Sequence, residues 1–123
     1  MTQTLYYIQL TCIKDLYLPN TTIKKGDILY YNNNASSNEM YIYNQNALHS
    51  KDEPNYFDKH NNLNKYKGLL TKSHLPFTKI KKNAKKYKSL RKLLYLKELI
   101  NNFGDFNAEI KTIDIIYQYT DNT

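Results

Sequence analysis

Short runs of apolar and aromatic residues, separated by polar turns, dominate the first 44 residues and predict β structure. The first predicted strand, Leu5 to Ile13, is rich in β-branched and aromatic residues and ends before a turn at Pro19. A turn at Gly26 introduces a second strand, Ile28 to Tyr31, and a third follows from Met40 to Tyr43. Three consecutive strands in a β meander are the simplest arrangement for residues 1–44.

Residues 45–76 are mostly polar and contain Pro54, which predicts a long connection with one short helical turn at Tyr56 to His60. After Pro76, the alternation of apolar and polar residues from Phe77 to Lys81 suits a half-buried strand.

The clearest helical pattern in the chain spans 87–103. Ser89 or Asn83 could cap its start, and Gly104 stands where a helix would stop. Its apolar positions cover a wide arc, which predicts a helix packed across a sheet: Tyr87, Leu90, Leu93, Leu94, Leu96, Leu99, Ile100 and Phe103.

The isoleucine-rich segment from Phe106 to Tyr119 predicts a closing strand, and a change of phase between Ile110 and Ile113 suggests a β-bulge. Residues 77–119 therefore form a strand-helix-strand unit. The predicted fold is a single α+β domain over 1–123, in which one main helix lies on a small antiparallel sheet.

Length and composition agree with this fold. The 123 residues suffice for one domain, and 41% hydrophobic residues are too many for a disordered tail. No apolar run is long enough to span a bilayer, and the N-terminal residues lack the features of a signal peptide. A single cysteine, Cys12, cannot form an internal disulfide, which fits a reducing compartment. We therefore expect a soluble, cytoplasmic protein.

Charge is the feature that most changes this picture. The net charge of +7 is weak evidence alone, because the abundance of Lys, Asn, Ile and Tyr is typical of AT-rich coding. The placement of the charges is more informative. Thirteen basic residues lie between Lys59 and Lys97, and no acidic residue occurs between Asp58 and Glu98. Codon bias would scatter lysine along the whole chain, so the segregation indicates a basic surface.

Candidate catalytic groups are sparse. A polar stretch containing His49, Asp52 and His60 has the residue types of a divalent-metal site, but its spacing matches no metal-binding signature. Cys12 lies in a predicted strand, where a lone cysteine is usually a small buried hydrophobe. With only three glycines, the chain contains no phosphate-binding loop. We therefore expect no cofactor and no enzymatic activity.

Binding is the function that the pattern favours. If the strand from Phe77 and the helix are neighbours, the intervening cations gather on one edge of the domain and attract a phosphate backbone. Lysine favours backbone contact over base readout, for which arginine is the better donor. Tyrosines on strands could add stacking or anchor a partner, or could simply pack in the sheet. The candidate binding residues are Lys79, Lys81, Lys82, Lys85, Lys86, Lys88, Arg91, Lys92, Tyr41 and Tyr43.

The chain combines a compact length, a composition typical of AT-rich coding, and strings such as TIKKGDILYY and YKSLRKLLYLKELINNFG. In these features it resembles, at the level of class, the small accessory proteins of phages and mobile elements, including anti-CRISPR proteins. That resemblance implies action by occupancy, without chemistry, on a nucleic-acid-handling complex, and the host cytoplasm as location. The chain departs from the acidic nucleic-acid mimics of that class because its dominant patch is positive.

Three functional hypotheses follow. The leading one is a stoichiometric inhibitor or regulator that binds nucleic acid or a nucleoprotein complex, such as a host nuclease, through its basic patch. The alternative is a stand-alone DNA- or RNA-binding module. The third is a metal-dependent enzyme that uses the His49 to His60 stretch. The oligomeric state and the choice among RNA, DNA and protein as target stay open.

Overall fold

A computed structural model describes residues 2–18, 21–33, 40–44 and 74–116. It confirms the predicted α+β fold, with one helix packed on an antiparallel sheet. The elements are β1 (Thr2–Cys12), β2 (Leu16–Leu18), β3 (Thr21–Ile23), β4 (Ile28–Tyr31), β5 (Met40–Asn44), β6 (His74–Thr78), a 3-10 helix (Lys81–Asn83), α1 (Leu90–Asn101) and β7 (Phe106–Ile116).

The main sheet has five strands in the order β5-β6-β4-β1-β7. The first two strands of the predicted meander, β1 and β4, pair as expected, but β4 and β5 both pair with β6, so the predicted pairing of the second and third strands is wrong. The physical reason lies in β6, whose Leu75, Phe77 and Thr78 are fully buried. A strand this apolar belongs inside a sheet, and Phe77 pairs with Tyr31 on one side and with Tyr41 on the other.

The boundaries of β6 also differ from the prediction of a strand over 77–81. The strand begins at His74 and ends at Thr78, so residues 74–76 belong to the sheet and not to the polar connection. The remainder of that connection, with its predicted helical turn at 56–60, lies outside the described residues.

The closing strand is present as β7, which pairs with β1 along its whole length, from Cys12 opposite Phe106 to Thr2 opposite Ile116. The register is continuous, so the predicted bulge is wrong. The change of phase has another cause. The strand buries apolar residues on one face near its start and carries an apolar residue on the opposite face near its end. Phe106 and Ala108 lie under α1 in the core, whereas Ile113, opposite Leu5, lies on the other face.

The core lies between α1 and one face of the sheet. Leu93, Leu96 and Ile100 supply the buried side of the helix, while Leu90 and Leu94 are 41% and 53% exposed. The apolar arc that packs on the sheet is therefore narrower than the sequence pattern predicts. The helix ends near Gly104, whose φ of +79° suits a residue without a side chain.

Among the described residues, the structure adds the 3-10 helix at Lys81–Asn83 and a hairpin, neither of which the sequence pattern predicted. β2 and β3 form a separate two-stranded antiparallel hairpin, and its Leu16 and Ile23 are buried in the core cluster. Within the described part of the chain, no helix is long and apolar enough to cross a membrane.

Candidate nucleic-acid interface

The eight cationic residues from Lys79 to Lys92, here called the basic corner, are held by the sheet even though most of them lie outside regular structure. The chain leaves β6 at Thr78, passes through the 3-10 helix and returns beside β1. Two anchors fix this return: the Lys85 amide N–H donates to the carbonyl of Tyr31, the last residue of β4, and Tyr87 forms an antiparallel bridge with Tyr6. The segment thus wraps around the end of β4.

Seven of the eight cations are exposed, and Lys86 is half-buried. Within the described residues, no ion pair involves the seven cations from Lys81 to Lys92. The ion pairs found there lie elsewhere and join Lys14 to Asp105 and Lys111 to Glu109. The positive charge of these seven cations is therefore not cancelled by a described carboxylate, and it is accessible to an anion.

Three ammonium groups of the corner lie over tyrosine rings that pack against the core on the helix side of the sheet. The Nζ atoms of Lys85 and Lys92 lie 6.0 Å and 5.7 Å from the centre of the Tyr87 ring, so residues from before and within α1 meet at one ring. The Nζ atom of Lys79 lies 5.6 Å from the centre of the Tyr41 ring. These distances are within the range of cation–π interactions.

The lysine charges around the Tyr87 ring are not neutralised at neutral pH, because the Tyr87 hydroxyl does not ionise there. Burial raises the pKa of Tyr87, and a side-chain hydrogen bond with Tyr31 lowers it by less than burial raises it. Burial also raises the pKa of Tyr31, and the neighbouring Tyr87 raises it further. Neither phenol supplies a phenolate that would neutralise the lysines.

Lys86 is fixed by hydrogen bonds to the backbone. Its Nζ donates to the carbonyls of Lys82 and Ala84 at 3.0 Å and 3.1 Å. An ammonium carries three N–H donors, so these bonds leave one for a ligand. They also close residues 82–86 into a defined loop, which reduces the entropy lost when the lysine binds an anion.

The first turn of α1 adds positive potential to the corner. Ser89 occupies the N-cap position without a side-chain hydrogen bond to the helix, and no acidic residue lies in the first turn. Arg91 and Lys92 stand there instead, although the positive end of the helix macrodipole disfavours cations. Uncapped N–H groups and cations together favour a bound anion at this end of the helix.

The two tyrosines proposed as binding residues differ from each other. Tyr43 is fully buried and its hydroxyl donates to the buried carboxylate of Asp105, so its prediction as a surface anchor is wrong. The reason is strand alternation: Tyr41 and Tyr43 point to the core face of the sheet. Tyr41 is only half-buried, stacks on Phe77 with ring centres 5.5 Å apart, and lies under Lys79.

The described residues supply no activated nucleophile and no metal-ligand cluster for the catalytic alternatives. Cys12 is buried, and burial, together with the negative charges of Asp27 and Asp105, raises the pKa of its thiol to about 12. It is therefore protonated at neutral pH and a poor nucleophile. The candidates His49, Asp52 and His60 lie outside the described residues, and within them no cluster of three His, Cys, Asp or Glu side chains could hold a metal ion.

Sequence reasoning missed two residues beside the corner, Tyr7 and Ile113. Both line a cavity together with lysines of the corner. The available signal was the change of phase in β7, which placed an isoleucine on the face that does not carry the helix.

The chain was compared with protein-family models, curated proteins and solved structures, and none of these comparisons finds a match. The resemblance to phage accessory proteins therefore stays a prediction.

Proposed function

We propose that this protein is a non-enzymatic binding protein that attaches to the phosphate backbone of nucleic acid through the basic corner. The observation that carries this proposal is that the segment from Lys81 to Lys92, which is anchored to the end of β4 through Lys85, carries seven cations with no ion pair to a described carboxylate. Phosphate groups would replace the counterions of these side chains, and release of counterions favours binding at low salt.

Three structural features support a backbone ligand over a base-specific one. The cations are lysines except for Arg91, and lysine acts on phosphate as a point charge and not as a bidentate fork. They are spread over a loop and a helix start, as suits an extended polyanion. The uncapped first turn of α1 offers backbone N–H groups of the kind that bind phosphate.

The proposed action on a nucleic-acid-handling complex is occupancy of the strand or guide that the complex uses. An occupying protein acts in proportion to its amount, so protection of a bound strand from a nuclease should saturate at a fixed molar ratio of protein to strand. Protection at strongly sub-stoichiometric amounts would instead indicate turnover and would contradict the proposal.

Two adjacent pairs of exposed lysines provide a matched test. Lys81→Glu/Lys82→Glu alters the basic corner, and Lys24→Glu/Lys25→Glu makes the same change of charge before the opposite end of β4. In a gel-shift titration at low salt, we expect the first variant to bind about tenfold or more weakly than the parent protein. The second should bind close to the parent. Equal losses in both variants would show that net charge alone, and not the corner, is responsible.

A further inference from the structure

A cavity of about 470 Å³ lies on the face of the sheet opposite α1. Among the described residues, its lining consists of Tyr7, Ile113 and three lysines of the basic corner, Lys81, Lys82 and Lys86. Ile113 pairs with Leu5, and residues 5 and 7 share a face of β1, so the two apolar side chains lie on the same side of the sheet. The volume is within the range of sites that hold small organic groups.

The cavity combines an apolar floor with a cationic rim. Tyr7 is only 5% exposed, and its ring lies against that of Tyr30 with centres 6.1 Å apart, so the floor is fixed by packing. Lys86 is held in place by the carbonyls of Lys82 and Ala84. A ligand that matches this arrangement has a flat or compact apolar part bearing negative charge at its edge.

We propose that the cavity receives an unstacked base of a single-stranded nucleic acid, while the lysines at its rim contact the adjoining phosphates. The proposal rests on the proposed function, because its lysines belong to the basic corner. It adds a preference for single strands. A base that is paired and stacked in a duplex cannot enter, whereas every single strand offers bases that can turn outward.

Charge alone would give the opposite preference. A duplex carries more negative charge per unit length than a single strand and releases more counterions per phosphate contacted. A protein that holds only phosphates therefore favours the duplex. Tighter binding of a single strand would identify a contact with the bases, and a base packed against apolar side chains supplies such a contact.

The test compares a 20-nucleotide oligo-dT, the same length of oligo-U, an abasic strand and a duplex of equal phosphate number, titrated against the full chain at one salt concentration. We expect the two single strands with bases to bind roughly tenfold more tightly than the duplex or the abasic strand. The ratio of oligo-dT to oligo-U affinity distinguishes DNA from RNA as the source of the base.

The matched variants are Ile113→Trp and Ile116→Trp. Ile113 is 36% exposed, so the larger side chain fits there and fills the cavity without changing the charge. Ile116 is 73% exposed on the same strand and is not among the residues lining the cavity. We expect Ile113→Trp to lower single-strand affinity to the duplex level and leave duplex affinity unchanged, while Ile116→Trp changes neither. Circular dichroism verifies that both variants fold.

Each of the other results contradicts a specific part of this account. Equal binding of single strand, abasic strand and duplex overturns this inference and leaves the proposed function standing. A single-strand preference that survives Ile113→Trp moves the base contact away from the cavity and overturns the assignment. Absence of binding to all four probes overturns the inference and the proposed function together.

Discussion

Buried titratable residues contribute to the pH dependence of stability, and Cys12 is one of them. Its thiol lies at the end of β1 with 2% exposure. Burial, then Asp27 and Asp105, raises its pKa from the ordinary value of 9.0 to about 12. Between these two values the folded protein keeps a proton that the unfolded chain releases, so deprotonation of the unfolded chain lowers the free energy of unfolding.

We expect the contribution of the Cys12 thiol to the free energy of unfolding to decrease as pH rises above 9. Because the folded pKa is raised, the contribution is fully present below pH 9 and decreases towards pH 12. Between pH 9 and 10.5, the thiol alone should cost about 2 kcal/mol, measured by urea denaturation. Cys12→Ala, although less stable overall, should show a shallower decrease. Parallel curves for the two proteins would contradict the assignment.

The sequence predicts only in part which residues of β5 face the core. Alternation along β5 requires one pair, Tyr41 with Tyr43 or Met40 with Ile42, to face away from the core. It does not determine which pair, because both are apolar enough to be buried. Tyr43 is buried because its hydroxyl meets Asp105, a residue 62 positions away along the chain, and local sequence carries no signal of that partner.

At the scale of elements, α1 is the part that sequence periodicity predicted best. Its presence and its stop before Gly104 follow from the spacing of leucines and isoleucines, whereas only Leu93, Leu96 and Ile100 of the predicted apolar arc are buried within the helix. Its start does not follow from this spacing. Tyr87 pairs with Tyr6 as an extended residue, so the helix begins at Leu90. A long-range backbone pairing overrides the local helical pattern there.

Leu93→Ala and Ile100→Ala should each lower the free energy of unfolding by about 2 to 5 kcal/mol, because both side chains are fully buried against the sheet. Leu94→Ala is the matched control on the same helix. Leu94 is 53% exposed, so its removal should cost less than about 0.5 kcal/mol in the same denaturation assay. Similar losses at positions 93 and 94 would contradict the packing of α1.

Arg91→Glu separates binding from stability. A carboxylate in the first turn of α1 interacts favourably with the helix macrodipole, whereas the native cation does not. We expect the variant to be more stable by about 0.3 to 1 kcal/mol at low ionic strength, and to bind nucleic acid more weakly. Loss of binding together with loss of stability would indicate a structural role for Arg91 and would weaken its place in the interface.

At the scale of the whole molecule, the sequence predicted the fold class but not the strand order. The meander follows from the tendency of consecutive strands to pair, and β6 breaks that tendency by entering between β4 and β5. Its buried Leu75 and Phe77 gave a local signal of a central strand. The pairing partners depend on contacts across more than 30 residues, which local patterns do not encode.

The segregation of basic residues, in contrast, could be predicted from the sequence. The strand order then determines where these residues lie on the surface. The segment after β6 must pass the end of β4 to reach β1, and this path distributes its lysines over both faces of the sheet beside that end. The central claim is that the basic corner binds phosphate.

The most direct test is the dependence of the binding constant on salt, measured by fluorescence anisotropy with a labelled duplex from 50 to 200 mM salt. If about six to eight phosphates are contacted, log K against log salt concentration should have a slope between about −5 and −7. Lys81→Glu/Lys82→Glu should reduce its magnitude by about two, and Lys24→Glu/Lys25→Glu should leave it unchanged. A slope near zero, or the same slope for all three proteins, would contradict the account.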